Sequence, residues 1–352
     1  MLLNSIRLQD FRSYHDTSFE FKPGVNIIVG PNASGKSNLL EAVLVIARGF
    51  SYRGNDQDLV KFHAPWARLD ASLKNESTRT VKLTKTDNKL SKTYVFDDKP
   101  FVRLTHNHTL PAVLFEPNDL LLLHGQPDKR RHYMDDILEQ LKPRFGPARR
   151  HYKRILMQRN ALLKHQPHDL EQQLFVWNVR LSELGGYIAR ERTELVARLN
   201  TKLASLYQDI AKASTEVIAL YQSNLPEDSY ESTMLRQLEA SLPTDLLRGF
   251  TVVGPHRDDL ILTFDGVPVA ETASRGETRT ALLALKVFEL GLLEEVRDQK
   301  PLLLLDDVFS ELDGKRRHAL TDYLQKYQTF ITTTDADIVG KRFTQTSNLI
   351  AL

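Results

Sequence analysis

Gly30, Pro31, Asn32, Ala33, Ser34, Gly35, Lys36 and Ser37 meet every fixed position of the phosphate-loop pattern G-x-x-x-x-G-K-[ST]. In such a loop the glycines let the backbone wrap tightly enough for successive N–H groups to point at phosphate oxygens. Lys36 would reach the outer phosphates of a nucleoside triphosphate, and the Ser37 hydroxyl would ligate magnesium. The preceding run Val25-Asn26-Ile27-Ile28-Val29 predicts a buried strand, and Asn38 to Val43 opens a helix whose positive end faces the same anion. A glycine-rich turn that binds nothing would not need this strand and helix around it.

An acid must complete the site, and a second apolar run supplies one. Pro301 to Leu305 is wholly apolar and ends in Asp306 and Asp307, a placement from which a carboxylate holds magnesium against phosphates. Taken alone, a strand-tip aspartate is an ordinary cap or turn residue. Beside a phosphate loop, Asp306 becomes the candidate metal ligand with Ser37, and Lys36, Asp306 and Asp307 the candidate catalytic set. Asp307 would orient or activate the attacking water. Its side chain is one methylene shorter than glutamate's, so hydrolysis is expected to be slow, as suits a switch. Ahead of this strand, Ala273-Ser274-Arg275-Gly276-Glu277 begins a predicted helix reaching Val296. A serine and a glycine at a helix start form another anion-binding end, useful if it closes on the nucleotide of a second subunit. An ordinary N-capped helix also accounts for that segment.

These side chains need a scaffold, and the chain changes texture twice along its length. From 1 to 125 short or alternating apolar runs predict strands at Leu2–Leu8, Phe19–Phe21, Val25–Val29, Leu69–Leu73, Thr80–Leu83 and Thr93–Phe96. From 126 to 245 helical spacing takes over, as in Leu174, Trp177, Leu181 and Leu184. From 246 to 352 strands return at Phe250–Val253, Leu260–Phe264, Leu302–Leu305 and Thr329–Thr333. The reading is a two-lobed α/β protein. Its nucleotide lobe comes from 1–125 and 246–352 around a mixed sheet, and 126–245 forms an inserted helical lobe. Pro143, Pro147, Pro167 and the pair Gly185-Gly186 interrupt the insertion's apolar spacing, which argues against a long coiled-coil arm.

Composition sets the remaining bounds. At 352 residues the chain exceeds the size at which one core usually keeps growing. A formal charge of +2 argues neither for nor against nucleic acid. With 0 cysteines, a disulfide framework, a cysteine zinc site and a thiol nucleophile are all excluded. Arg7, Asp10 and Arg12 come too early for a signal peptide's apolar core, and no stretch of about eighteen apolar residues occurs. A soluble, cytoplasmic protein is expected.

Taken in order, the segments LQDFRSY (Leu8–Tyr14), GPNASGKSNLLEA (Gly30–Ala42), LFEPNDLLLLHGQPDKRRHYMD (Leu114–Asp135), VGPHRDDL (Val253–Leu260), ASRGETR (Ala273–Arg279) and LLLLDDVFSELD (Leu302–Asp313) resemble the head of the ABC-type ATPases, in the group that includes the structural-maintenance-of-chromosomes proteins and Rad50. The resemblance spans essentially the whole chain and is strongest to bacterial members that act in recombinational repair. It implies ATP at Gly30–Ser37, Mg2+ at Asp306, and water activation by Asp307. It also implies that Ser274, Arg275 and Gly276 contact ATP across a homodimer, with Asp313 in a loop along the interface. Thr334 stands where many such ATPases place a switch histidine, and threonine can only hydrogen-bond the terminal phosphate, not carry a proton. Where these heads often place a glutamine the chain reads Phe115-Glu116-Pro117-Asn118, so that contact stays unassigned.

By the same resemblance the cargo is DNA, at gaps or single-strand to double-strand junctions. Replication and repair after DNA damage, in the SOS response, would be the setting. RecO- and RecR-type partners would help load a recombinase. An independent sign lies between Lys129 and Lys164, where eleven basic residues face three acidic ones, a local formal charge of +8. Arg149, Arg150, Lys153 and Arg154 are the candidate DNA contacts; a solvated helix face is the other reading of this stretch. No groove-reading motif occurs, so binding would follow phosphates, ignore sequence and weaken steeply with salt. A non-hydrolysing, nucleotide-dependent DNA scaffold is the alternative to an ATPase. His256, beside Asp258 and Asp259, invites a metal-nuclease reading but lacks a ligand set; a structural turn or an ATP- or DNA-facing contact is preferred.

Overall fold

The computed structural model describes residues 2–86, 89–308, 314–334 and 347–352. The chain opens with strands β1 (Leu3–Gln9), β2 (Asp16–Glu20) and β3 (Val25–Val29), helix α1 (Lys36–Arg48), and strands β4 (Trp66–Leu73), β5 (Thr78–Thr86), β6 (Lys89–Phe96), β7 (Lys99–Phe101) and β8 (Ala112–Phe115). Helices α2 (Leu121–His124), α3 (Pro127–Leu141), α4 (Phe145–His165), α5 (Leu170–Asn200) and α6 (Leu203–Ala211) follow, then β9 (Val217–Gln222), α7 (Tyr230–Ala240) and α8 (Leu242–Arg248). The rest comprises β10 (Asp259–Phe264), β11 (Val267–Pro268), α9 (Val269–Thr272), α10 (Arg275–Arg297), β12 (Leu302–Asp306), α11 (Gly314–Leu324), β13 (Thr329–Thr333) and β14 (Asn348–Ala351). Two compact units result: Met1–Asp119 with Asp209–Ala211 and Arg279–Leu352, and Leu120–Gln208 with Lys212–Thr278.

In the first unit the parallel and antiparallel strands are divided between two sheets. The five-stranded sheet, ordered β14-β3-β13-β12-β8, is parallel. The six-stranded sheet, ordered β2-β1-β4-β5-β6-β7, is antiparallel. Sequence explains the difference: β3 (VNIIV) and β12 (LLLLD) are buried almost throughout, as parallel central strands are, whereas β4 alternates buried and less buried positions. Helix α1 packs against strands of both sheets, so its residues Leu39 to Ala47 are all buried and its apolar surface runs all round. The Gln328 amide ties the two arms of the chain together, accepting from Leu3 N at 2.7 Å and donating to Leu3 O at 2.7 Å and Lys22 O at 3.0 Å.

In the second unit the 31-residue helix α5 packs on α3, α4 and α7. It runs unbroken through Gly185 and Gly186, where the sequence suggested an interruption. A Cβ at Gly186 would lie 2.0 Å from Glu231 Cγ, so the glycine serves the close approach of α7. Three further expectations are corrected. Strand β9 lies inside the stretch read as purely helical, and it pairs with β10 from Gln222↔Asp259 to Val217↔Phe264. That pairing draws 246–278 into the second unit, away from the C-terminal arm of the nucleotide lobe to which it was assigned. Phe250–Val253 is no strand, because side chains take its backbone donors: Thr251 N donates to Asn160 Oδ1 at 2.9 Å and Val252 N to Asp245 Oδ1 at 3.0 Å. Among the described residues no helix is long and apolar enough to cross a membrane.

Candidate functional site

The phosphate loop is set between β3 and α1 by a left-handed turn at Gly35, with φ 104, a conformation closed to most side chains. Tyr14 pins the turn: its hydroxyl donates to Gly35 O at 3.0 Å, and burial pushes its pKa up to about 12, so the donor stays protonated. Lys36 is buried and curls over the loop, its Nζ donating to Gly30 O and Pro31 O at 2.8 Å each. Pro31, Asn32 and Ala33 are exposed. Ser34 Oγ is buried without a hydrogen-bond partner, a donor inside the loop that suits a phosphate oxygen.

The two elements read from sequence meet directly. Ser37 Oγ donates to Asp306 Oδ1 at 2.8 Å. Two residues that sequence reasoning missed complete the arrangement. Thr332 Oγ1 donates to the same oxygen at 2.8 Å, and the Tyr52 hydroxyl donates to Oδ2 at 2.7 Å. Burial, then the Asp306 charge, raises the Tyr52 pKa far above its ordinary value, so Tyr52 is a permanent donor. A carboxylate beside a hydroxyl is a hard-oxygen donor set of the kind magnesium takes, and Ser37 with Asp306 fits that ion. Thr332 Oγ1 also accepts from Asp307 N at 2.9 Å, where the chain turns with φ 52 and leaves the Asp307 side chain exposed. Thr334 is exposed just past β13. Asp313 lies outside the described residues.

A second missed network braces α1. Glu41 is fully buried, held by Arg12 through two 2.8 Å hydrogen bonds and by Ser51 Oγ at 2.5 Å. A lone acid within an otherwise apolar helix was the available signal, since a buried charge demands a partner. Tyr52 follows Ser51 in a loop without periodicity, and nothing in the sequence marked it.

Ser274 caps α10. Its Oγ accepts from Glu277 N at 3.3 Å, and Glu277 Oε2 accepts from Ser274 N at 2.8 Å, a reciprocal capping box. Ser274 and Arg275 are exposed and Gly276 is half-buried, so the start of this helix is open to solvent.

The basic stretch separates into two populations. Arg130 pairs with Asp259, Arg131 with Asp128, Lys142 with Glu191 and Glu194, and Arg149 with Glu139 and Asp135. Arg159 is wholly buried, pairing with Asp245 at 2.7 Å and donating to Asn178 Oδ1 and Thr251 Oγ1 at 2.7 Å each. Arg150, Lys153, Arg154 and Lys164 are exposed, at spacings that share the outward face of α4. Of the four residues chosen as DNA contacts, Arg149 is therefore engaged within the unit and the other three face solvent.

The segment 254–258 is a structural turn leading into β10. Burial lowers the His256 pKa to about 4 and keeps the ring neutral. Tyr152 lies 2.7 Å from Nδ1, and Nε2 donates to Thr251 O at 3.1 Å, which occupies both ring nitrogens. Asp258 accepts from Tyr221 at 2.6 Å and Tyr230 at 2.9 Å. Among the described residues no cluster of three or more His, Asp or Glu could hold a metal ion.

Comparison with known proteins agrees with this architecture. The RecF/RecN/SMC N-terminal domain family matches residues 2–349. The DNA replication and repair protein RecF of Acaryochloris marina is 36% identical, covering 100% of this chain and 98% of its own length. RecF of Alkaliphilus oremlandii is 32% identical over 95% of this chain and 93% of its own. A structure described as the recombination mediator protein RecF-ATPrS in the RecFOR pathway superposes with a TM-score of 0.87 at 30% identity, covering 96% of this chain and 93% of that one. An Smc head bound to the C-winged helix domain of ScpA superposes with a TM-score of 0.54 at 14% identity, covering 96% and 90%, and shares the fold.

Proposed function

The chain belongs to the RecF family, and from that premise we propose that it is an ATP-dependent DNA-binding protein of DNA replication and recombinational repair. It works as a nucleotide-gated homodimeric clamp at gapped or junction DNA, where it helps RecO- and RecR-type partners load a recombinase. The observation that carries the reading is the contact of Ser37 with Asp306 at 2.8 Å beneath a complete phosphate loop. Residues 30–37 would hold the phosphates of ATP, with Lys36 on the outer ones and Ser34 Oγ as a further donor. Ser37 and Asp306 would hold Mg2+, which when bound offsets phosphate charge. Asp307, exposed beside them, would orient the water.

The partner copy's Ser274–Gly276 would close over the nucleotide, so that free energy of ATP binding becomes free energy of association. Two equivalent sites related by a twofold axis follow. Sedimentation of the purified protein with and without ATP and magnesium tests this: a dimer is expected with both, and a monomer at saturating concentrations rules the clamp out. Asp307 and Thr334 favour a second reading, a scaffold that binds ATP and DNA but scarcely hydrolyses, since neither places a long acid or an imidazole near the terminal phosphate. Single-turnover decay of ATP in the presence of DNA separates the two.

A further inference from the structure

The segment between α8 and β10 is clamped onto α4. Asn160 Oδ1 accepts from Thr251 N at 2.9 Å and Thr251 Oγ1 at 2.7 Å, while Arg159 donates to Thr251 Oγ1 at 2.7 Å. Arg257 donates from Nε and Nη2 to Thr251 O at 3.3 and 3.0 Å. These bonds set two side chains together at the surface: the guanidinium of Arg257 lies 4.8 Å from the centroid of the Phe250 ring, and Phe250 is 38% exposed. Leu247, at the end of α8, is 89% exposed, and Arg248 after it is exposed too. The patch abuts α4, since a Cβ on Gly249 would lie 3.6 Å from Lys164 Cγ. The one acid between 242 and 257 is Asp245, and it is buried on Arg159. Phe250 and Arg257 thus pair at the surface, Lys164 lies close to Gly249, the exposed Leu247 and Arg248 belong to the same stretch of chain, and neither α8 nor this segment adds an exposed carboxylate.

Cations alone suffice to follow a duplex, whose base faces are hidden in the stack. An exposed ring beside an arginine offers something that an unpaired base can use and a base inside the stack cannot, a stacking surface next to a phosphate partner. We infer that Phe250 and Arg257 form a stacking site for an unpaired base of a DNA strand whose phosphates run along Arg150, Lys153, Arg154 and Lys164. This rests on the reading of the protein as DNA-binding and names the feature of a junction that it would recognise.

The test uses the full chain at fixed salt, with a blunt duplex and the same duplex carrying a single-stranded tail that contains 2-aminopurine. The intact protein is expected to prefer the tailed probe and to quench the tail's fluorescence. Phe250→Ala should cut the tailed-to-blunt affinity ratio about tenfold and abolish the quench with blunt-duplex affinity unchanged, and Phe250→Trp should restore both. An unchanged ratio in Phe250→Ala, as expected if the patch instead seats a protein, overturns the stacking site. Neutralising Arg150, Lys153 and Arg154 together should weaken both probes equally; no loss there overturns α4 as the phosphate track, a separate result from the ratio.

Discussion

The phosphate loop of the first unit and the basic helix α4 of the second were both singled out by residue type, and they differ in how much of their chemistry is available. At the loop, Lys36 donates to the loop's own carbonyls at Gly30 and Pro31, Ser37 meets Asp306, and Thr332 and Tyr52 hold the carboxylate from other parts of the chain. Along α4, charge does not predict availability. Arg149 and Arg159 are held by carboxylates of their own unit, while Arg150, Lys153 and Arg154 face solvent. A motif with fixed spacing encodes a backbone path and so a geometry. A count of cations encodes only a sum, and the 3.6-residue period of the helix decides which of them are free.

The largest effect should come from the cation that charge counting misplaced. Arg159→Met leaves Asp245 buried and uncompensated and should cost about 3–5 kcal/mol in urea unfolding, whereas Arg150→Met should stay within about 0.5 kcal/mol. Equal costs would erase the distinction between the two populations. At the loop, Tyr52→Phe removes the donor on Asp306 Oδ2 and should weaken the magnesium dependence of ATP binding by about tenfold to a hundredfold, read by titrating a fluorescent ATP analogue with Mg2+ or Mn2+. Unchanged metal dependence with an intact fold would make Tyr52 mere packing. The smallest effects belong to single surface charges. Each of Arg150→Gln, Lys153→Gln and Arg154→Gln should lower the salt slope of duplex binding by about 0.9, and Arg149→Gln should leave that slope alone.

What the sequence disclosed follows the same division. Strands β3 and β12 were legible because short, almost wholly apolar runs ending at Gly30 and at Asp306 have few other readings. Strand β9 was not, because VIALYQ sits among helices and its partner β10 comes some forty residues later, beyond any local window. Phe250–Val253 failed the other way: a β-branched run usually seeks a ladder, but Asn160 and Asp245 had already taken two of its amides. Of the residues that meet at Asp306, spacing had singled out Ser37 and Asp306 itself. Thr332 hid in a strand where threonine is ordinary, and Tyr52 became visible only once the fold brought it to Asp306.

The pairing of β3 has a consequence for how the protein is made. Its two neighbours are β13 and β14, residues 329–333 and 348–351, so during translation the strand leading into the nucleotide loop waits unpaired for nearly the entire length of synthesis. The antiparallel meander has all of its strands once Phe101 has emerged, and the second unit has its own by Thr278. A ribosome-bound chain should therefore mature its helical second unit first and complete the sheet that carries the phosphate loop as its last event, with Leu3 and Gln328 closing the ring.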